Sequence, residues 1–309
     1  MNLASKFAGT LIRRTALVLT WLAISAAYLW AGQGRTVTGM VLKIDRAHSA
    51  VTISCDSIPG YMDAMVMSFA VHEGHALEAL APGERVLFTV TEEKGIPFAE
   101  SIQLQPFQSL EQDPAQARRL KLLENLMHPA TAASRPLAIG ERAPDFHLID
   151  QEKRTISLSQ FTGKVVAITF VYSRCPFPNY CFRLSNNFGQ LQKRFGQRLG
   201  RDLVLLSIVI DPVHDQPEQL ARYAEIWRAN PDGWHFLTGP VPEIKKVCDK
   251  FDMSFYPDEA LFVHSFHTAI LDRQGRLAAN IEGNDFSPEQ LGDLVEATLV
   301  LEPNDGPAR

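Results

Sequence analysis

The chain has 309 residues, of which 46% are hydrophobic and 21% charged, with a formal net charge of -5. That length suits about two domains, and the acidic balance leaves no basic face for a nucleic-acid partner. The four cysteines, at 55, 175, 181 and 248, are too few for a disulfide scaffold, so each needs its own explanation.

Near the N-terminus Lys6, Arg13 and Arg14 precede an uncharged apolar run, Ala16–Ala31. As a helix this run reaches about 24 Å, slightly short of a roughly 30 Å bilayer core. Trp21, Tyr28 and Trp30 suit the membrane interface. Two readings of residues 1–35 stay open: an uncleaved membrane helix, or an export signal cut after Ala27 or Ala31. The first puts the N-terminus on the cytoplasmic side of a bacterial inner membrane and the body in an oxidising periplasm; the second secretes the body to the periplasm.

Residues 36–106 contain five β-like runs: VTGMVLKID, AVTISC, MVMSFAV, RVLFTVTE and AESIQLQP. Turn signals separate them, and five strands in about 70 residues predict a small all-β barrel of the OB kind. Cys55 ends the second run, and Met65 and Met67 open the third. Two apart on a strand, the methionines face the same way. Met65, Met67, Phe69 and Val71 also form the alternating apolar face of an ordinary core strand, so core and soft-metal readings stand side by side. His72 and His75 follow on a loop and read as solvated. Residues 107–136 form a helical linker. Asp113-Pro114 starts a short helix bearing Leu120, Leu123, Leu126 and Met127, and the linker lets the flanking domains approach each other.

From 137 to 302 the strand-like runs VVAITFVY, LVLLSIVI and HTAILD alternate with helical stretches at 189–198, 217–229, 242–251 and 287–300. This predicts an α/β sandwich with a mainly parallel centre, followed by a 303–309 tail. Cys175 and Cys181 lie directly after the apolar run Val165–Val171, at the entrance of a helix. Backbone N–H groups gather there, lowering a thiol's pKa and favouring the thiolate, which is both the reactive and the metal-binding form. Redox chemistry, metal binding or both are open on these residues alone. Cys248 shares an apolar helix face with Ile244, Val247 and Phe251 and reads as core.

Four segments in order over 139–300 carry a resemblance: GERAPDFHLIDQEKRTISLSQFTGKVVAITFVYSRC, the loop to Cys181, SIVIDPVHDQPEQLARYAEIW and HSFHTAILDRQGRL. They resemble the Sco/SenC group of thioredoxin-fold proteins. The resemblance implies a membrane-anchored copper chaperone for the dinuclear copper site of cytochrome oxidase. It also implies a ligand set of two cysteines and one histidine, falling on Cys175, Cys181 and His264. Thiolates suit Cu(I), and imidazole suits Cu(II) as well. Five residues separate the cysteines here, where the family has three. His267, His214 and Asp215 read as neighbours of the site and not ligands.

The segment VTGMVLKIDRAHSAVTISCDSIPGYMDAMVMSFAV is similar to the periplasmic copper carrier CusF. That implies a Cu(I) site using Met65 and Met67, with Cys55 where the family has histidine and Met62 about where it has tryptophan. Together the resemblances imply a membrane-tethered periplasmic copper protein with two stations, acting on a cytochrome c oxidase copper-site subunit or another periplasmic copper protein. The alternatives are a thiol–disulfide oxidoreductase, with Cys175 as nucleophile and Cys181 as resolving thiol, and a copper-resistance buffer.

Overall fold

Alternation of period two decides the first half of the molecule. The computed structural model describes residues 35–60, 62–107, 119, 122–123, 135–258 and 261–300. Strands β1 (Arg35–Asp45), β2 (Ala50–Cys55), β3 (Met65–Ala70), β4 (Arg85–Glu93) and β5 (Ile96–Leu104) close into a barrel of order β1-β2-β3-β5-β4. Val37, Val41, Val51, Ile53, Phe69, Val86 and Phe88 fill its interior. Gly39 in β1 lies close against β2. A Cβ there would meet Ile53 Cγ2 at 2.6 Å and the Ser54 carbonyl at 2.7 Å.

The second half follows from two strands buried on both faces. In chain order come β6 (His147–Ile149), β7 (Thr155–Ser157), β8 (Val165–Val171), α1 (Arg183–Arg194), β9 (Leu203–Val209) and α2 (Pro217–Trp227). Next are β10 (Trp234–Leu237), α3 (Val241–Lys250), β11 (Phe255–Asp258), β12 (Leu261–His264), β13 (His267–Leu271), β14 (Leu277–Glu282) and α4 (Pro288–Val300). The main sheet has the order β10-β9-β8-β13-β14. Every residue of β8 and β9 is buried, as a strand covered by helices on both faces requires. The β10, β9 and β8 strands run parallel, but β13 runs against both β8 and β14. The sheet is therefore mixed, and the mainly parallel centre read from the sequence holds only for one half of it. Cys248 is fully buried, as its helix face predicts.

The helix expected at 189–198 begins at Arg183 and stops at Arg194. It starts early because the kinked turn Pro178–Phe182 already leads into it. The hairpins β6–β7 and β11–β12, and strands β10 and β14, escaped the sequence reading. They are short, and tertiary pairing rather than local pattern creates them.

The barrel is seated on the second domain and does not simply hang from the linker. On β1 the outward residues Met40 and Leu42 join the core of the α/β domain, and β1 packs against α4. The linker reading falls mostly on residues outside those described; the described contact between the domains runs through β1 and α4. Of the helix read at 113–127, only Arg119, Leu122 and Leu123 are described, all helical. The apolar run at 16–31 and the tail at 303–309 lie outside the described residues. No described helix is long and apolar enough to cross a membrane.

Candidate metal and thiol site

The buried strand β8 delivers its last residues, Tyr172 to Cys175, to the edge of the sheet. Two carboxylates fix this turn. Asp215 accepts hydrogen bonds from the Ser173 N–H at 2.9 Å and hydroxyl at 2.5 Å. Arg174 donates to Asp211 at 2.7 Å. The chain then runs through Pro176 and Pro178 into a short turn, Pro178–Phe182, kinked at the non-helical backbone of Tyr180 just before α1. Cys181 enters α1 from that turn and is buried, while Cys175 is partly exposed. No disulfide joins the two thiols.

The two thiols differ in charge. Cys175 is pushed down to about 6, chiefly by a hydrogen bond from the Cys181 thiol. Burial works against this, and N–H groups of Phe177 and Cys181 and the nearby Tyr172 hydroxyl add to it. Cys181 is pushed well above the ordinary thiol range, first by burial, then by the Cys175 sulfur, with Asp215 adding to it. The pair is thus one reachable thiolate and one hidden, protonated thiol. The helix entrance, expected to lower a thiol, holds Cys181, which burial raises; Cys175 is lowered chiefly by the Cys181 thiol.

His264 ends β12, a hairpin strand, and does not lie simply ahead of β13 as its sequence position suggests. Its ring packs edge-on against Tyr172, Tyr180 and Phe266, with ring centroids 5.9, 6.5 and 4.7 Å away. Nδ1 lies 2.8 Å from the Ser265 carbonyl. A carbonyl only accepts, so Nδ1 carries the proton and Nε2 holds a lone pair. That Nε2 is buried and makes no hydrogen bond. A carbonyl on one ring nitrogen and an open lone pair on the other is the arrangement of a metal-ready histidine. Among the described residues, no three His, Cys, Asp or Glu side chains yet converge on one point. Tyr172 is the shared neighbour: its buried hydroxyl lies by both cysteines, while its ring faces His264.

Burial pushes His264 down to about 4 from the ordinary 6.5, opposed by the Ser265 hydrogen bond. Between those values the unfolded chain binds a proton that the folded chain refuses. Stability therefore falls as pH drops from about 6.5 toward 4 and is unaffected above. Moving from pH 7 to pH 5 should remove about 2 kcal/mol through this residue. Urea midpoints of the apo protein check it, and His264→Gln should flatten that part of the slope.

Tyr172, Tyr180 and Phe266 were not singled out from the sequence. Tyr172 had a readable signal, as the last residue of the apolar run entering the cysteine loop. Tyr180 and Phe266 had none, because only the fold brings them to His264. His267 is buried in β13, three residues past His264. Asp215 holds the turn and His214 is exposed, both beside the site as read.

In the barrel, Cys55 lies directly opposite Met65, and Ile53 opposite Met67. Side chains of such pairs share a face. Cys55 is buried, Met67 and Met62 pack partly against the barrel core, and Met65 is 48% exposed. A pure core role thus fails for Met65, which stands at the barrel mouth. Burial pushes the Cys55 thiol up to about 12, with Asp56 adding to it. A metal taken here must displace that proton, and three soft sulfur atoms on one ladder are a donor set suited to Cu(I). His72 is half-exposed, stacks on Phe98 at 4.1 Å and faces Glu93 at 3.4 Å, in keeping with a solvated residue.

A strand–helix dithiol on a mixed sheet, with a buried imidazole alongside, defines a thioredoxin-like protein equipped for thiol and soft-metal chemistry. The SCO1/SenC family model matches residues 137–299, just over half of the chain, and the chain belongs to that family. The model of the copper binding periplasmic protein CusF matches residues 34–103. Protein sco1 of Schizosaccharomyces pombe is 29% identical over 161 residues, which is 48% of this chain and 58% of that protein. The SCO1 protein homolog of Bacillus subtilis is 29% identical over 161 residues, 50% of this chain and 82% of its own. Yeast Sco1 with copper bound aligns with a TM-score of 0.46 at 25% identity, covering 53% of this chain and 92% of that one.

Proposed function

We propose that this protein is a membrane-tethered copper-binding protein of the periplasm that delivers copper during cytochrome c oxidase assembly. The observation that carries the reading is the neutral, buried His264, whose Nε2 has no partner and which shares Tyr172 with the dithiol. Cys175, Cys181 and His264 would hold the ion in the α/β domain, and Cys55, Met65 and Met67 would hold a second in the barrel. Copper is the cargo. Binding is ligand exchange, in which each protonated thiol that joins the metal releases its proton. The N-terminal apolar run and the match to a periplasmic carrier support the location and tether. The recipient that fits is the oxidase subunit carrying the copper site, or another exported copper protein.

Protein lacking the first 32 residues should bind about two equivalents of Cu(I). The triple variant Cys55→Ser, Met65→Leu, Met67→Leu should bind one. Two equivalents in the triple variant would leave the barrel a structural module only. A fusion of residues 1–35 to a reporter tests the tether by membrane fractionation.

The thiol asymmetry favours a second reading. A reachable thiolate beside a hidden thiol is the division of labour of a disulfide reductase, with Cys175 attacking and Cys181 resolving. Fast exchange with disulfide peptides combined with weak copper retention would select it.

A further inference from the structure

The barrel meets the α/β domain through a polar latch and an aromatic wedge that no ligand assignment explains. Gln290, near the start of α4, is 3% exposed. Its amide donates to Asp56 at 2.8 Å and to the Ser54 carbonyl at 3.4 Å, and its carbonyl oxygen accepts from Arg85 at 3.0 Å. One turn on, Asp293 accepts from the Ser54 hydroxyl at 2.7 Å. Arg85 also bonds Asp56 at 2.9 Å and lies 3.5 Å from Asp285. Ser54 and Asp56 are the two neighbours of Cys55. Alternation turns them outward to α4 while Cys55 faces into the barrel.

The far side of this latch supports the dithiol. Asn284, next to Asp285, donates to the Asn179 carbonyl inside the cysteine loop at 2.5 Å. Arg183, at the start of α1, donates to the Phe286 carbonyl at 3.3 Å. Arg194, at the other end of α1, bonds Asp293 at 2.8 Å. A second connection is apolar. Phe107, leaving β5, lies against Gly283, where a side chain would not fit, and against Phe266 at 5.8 Å. Phe266 in turn touches His264 and Tyr180, at 4.7 and 4.8 Å. The strand end bearing Cys55 and the loop bearing Cys175 and Cys181 therefore both rest on one short segment, Gly283–Gln290.

We infer that copper moves from the barrel to the dithiol within a single chain, with Gln290 and Arg85 as the positioning residues that hold the two stations together. The inference rests on the copper reading above and adds route and direction. Two thiolates and an imidazole outcompete one thiolate and two thioethers for Cu(I), so the ion runs from barrel to dithiol. In the step, the Cys175 and Cys181 sulfurs bond to the metal as the Cys55–metal and thioether–metal bonds break. The proton released by Cys181 is matched by one taken up at Cys55, and the ion remains Cu(I). No oxidant or reductant is needed.

The test uses the whole soluble body. With Cys175 and Cys181 oxidised to a disulfide, one equivalent of Cu(I) loads the barrel. A phosphine then reduces the disulfide, and protection of Cys175 from alkylation reports arrival of the metal. The wild-type rate should be the same at protein concentrations about tenfold apart, since the partner is already at hand. In the double variant Arg85→Ala, Gln290→Ala the rate should fall on the order of tenfold and rise with concentration. The milder pair Ser54→Ala, Asp285→Asn should move it the same way. A wild-type rate proportional to concentration, or wild-type transfer in folded latch variants, overturns the inference while leaving copper binding intact. A disulfide form that takes up no Cu(I) overturns the barrel station itself and the transfer with it.

Discussion

His264→Ala should lower the Cu(I) affinity of the α/β domain at least about 100-fold, because changes one shell further out already weaken metal sites 10–100-fold. The same substitution should leave the pH dependence of Cys175 alkylation unchanged, since the imidazole is not among the groups that lower that thiol. Competition with a chromophoric Cu(I) chelator measures the first quantity and timed alkylation the second. Removing the ring also opens space among Tyr172, Tyr180 and Phe266, so His264→Phe serves as the filled control. Both variants should lose copper. Unchanged affinity in either would remove His264 from the ligand set and turn the argument toward disulfide chemistry.

Cys181→Ala should slow alkylation of Cys175 at pH 6 on the order of tenfold. The reason is the ranking of causes. The strongest contribution to the low Cys175 value is the hydrogen bond from the Cys181 thiol, ahead of the backbone N–H groups and Tyr172. Cys181→Ser keeps an O–H donor in the same place and should lie between wild type and alanine. A Cys175 profile that ignores residue 181 would show that the loop backbone alone sets its charge. Both variants also leave a single thiolate for the metal, so copper retention should fall with them even where Cys175 stays reactive.

Some of the site was legible before any coordinates. An apolar strand running into Cys175, with a helix after Cys181, forces the pair to a strand–helix junction, and the structure puts it there. The five-strand barrel was legible for the same reason, since its strands alternate and its turns carry Gly, Pro and Asp. Less legible was the depth of each sulfur. Met65 and Met67 look equivalent on a strand, yet one lies at the mouth and the other against the core. His264 could be named but not understood. Its tautomer depends on the Ser265 carbonyl, and its neutrality on three aromatic rings drawn from separate parts of the chain.

Residue order alone determined which atoms are available: the sulfur pair, a nearby imidazole, a sulfur-bearing barrel strand and an uncharged apolar run at 16–31. These follow from local periodicity and motif spacing, which need no distant partner. Tertiary structure alone decided which thiol carries charge, which imidazole nitrogen is open, and that the barrel is seated on α4 through Gln290. Burial and hydrogen bonding between residues as far apart as Ser54 and Asp293 set those properties, and contacts of that separation leave no pattern in a local stretch of sequence.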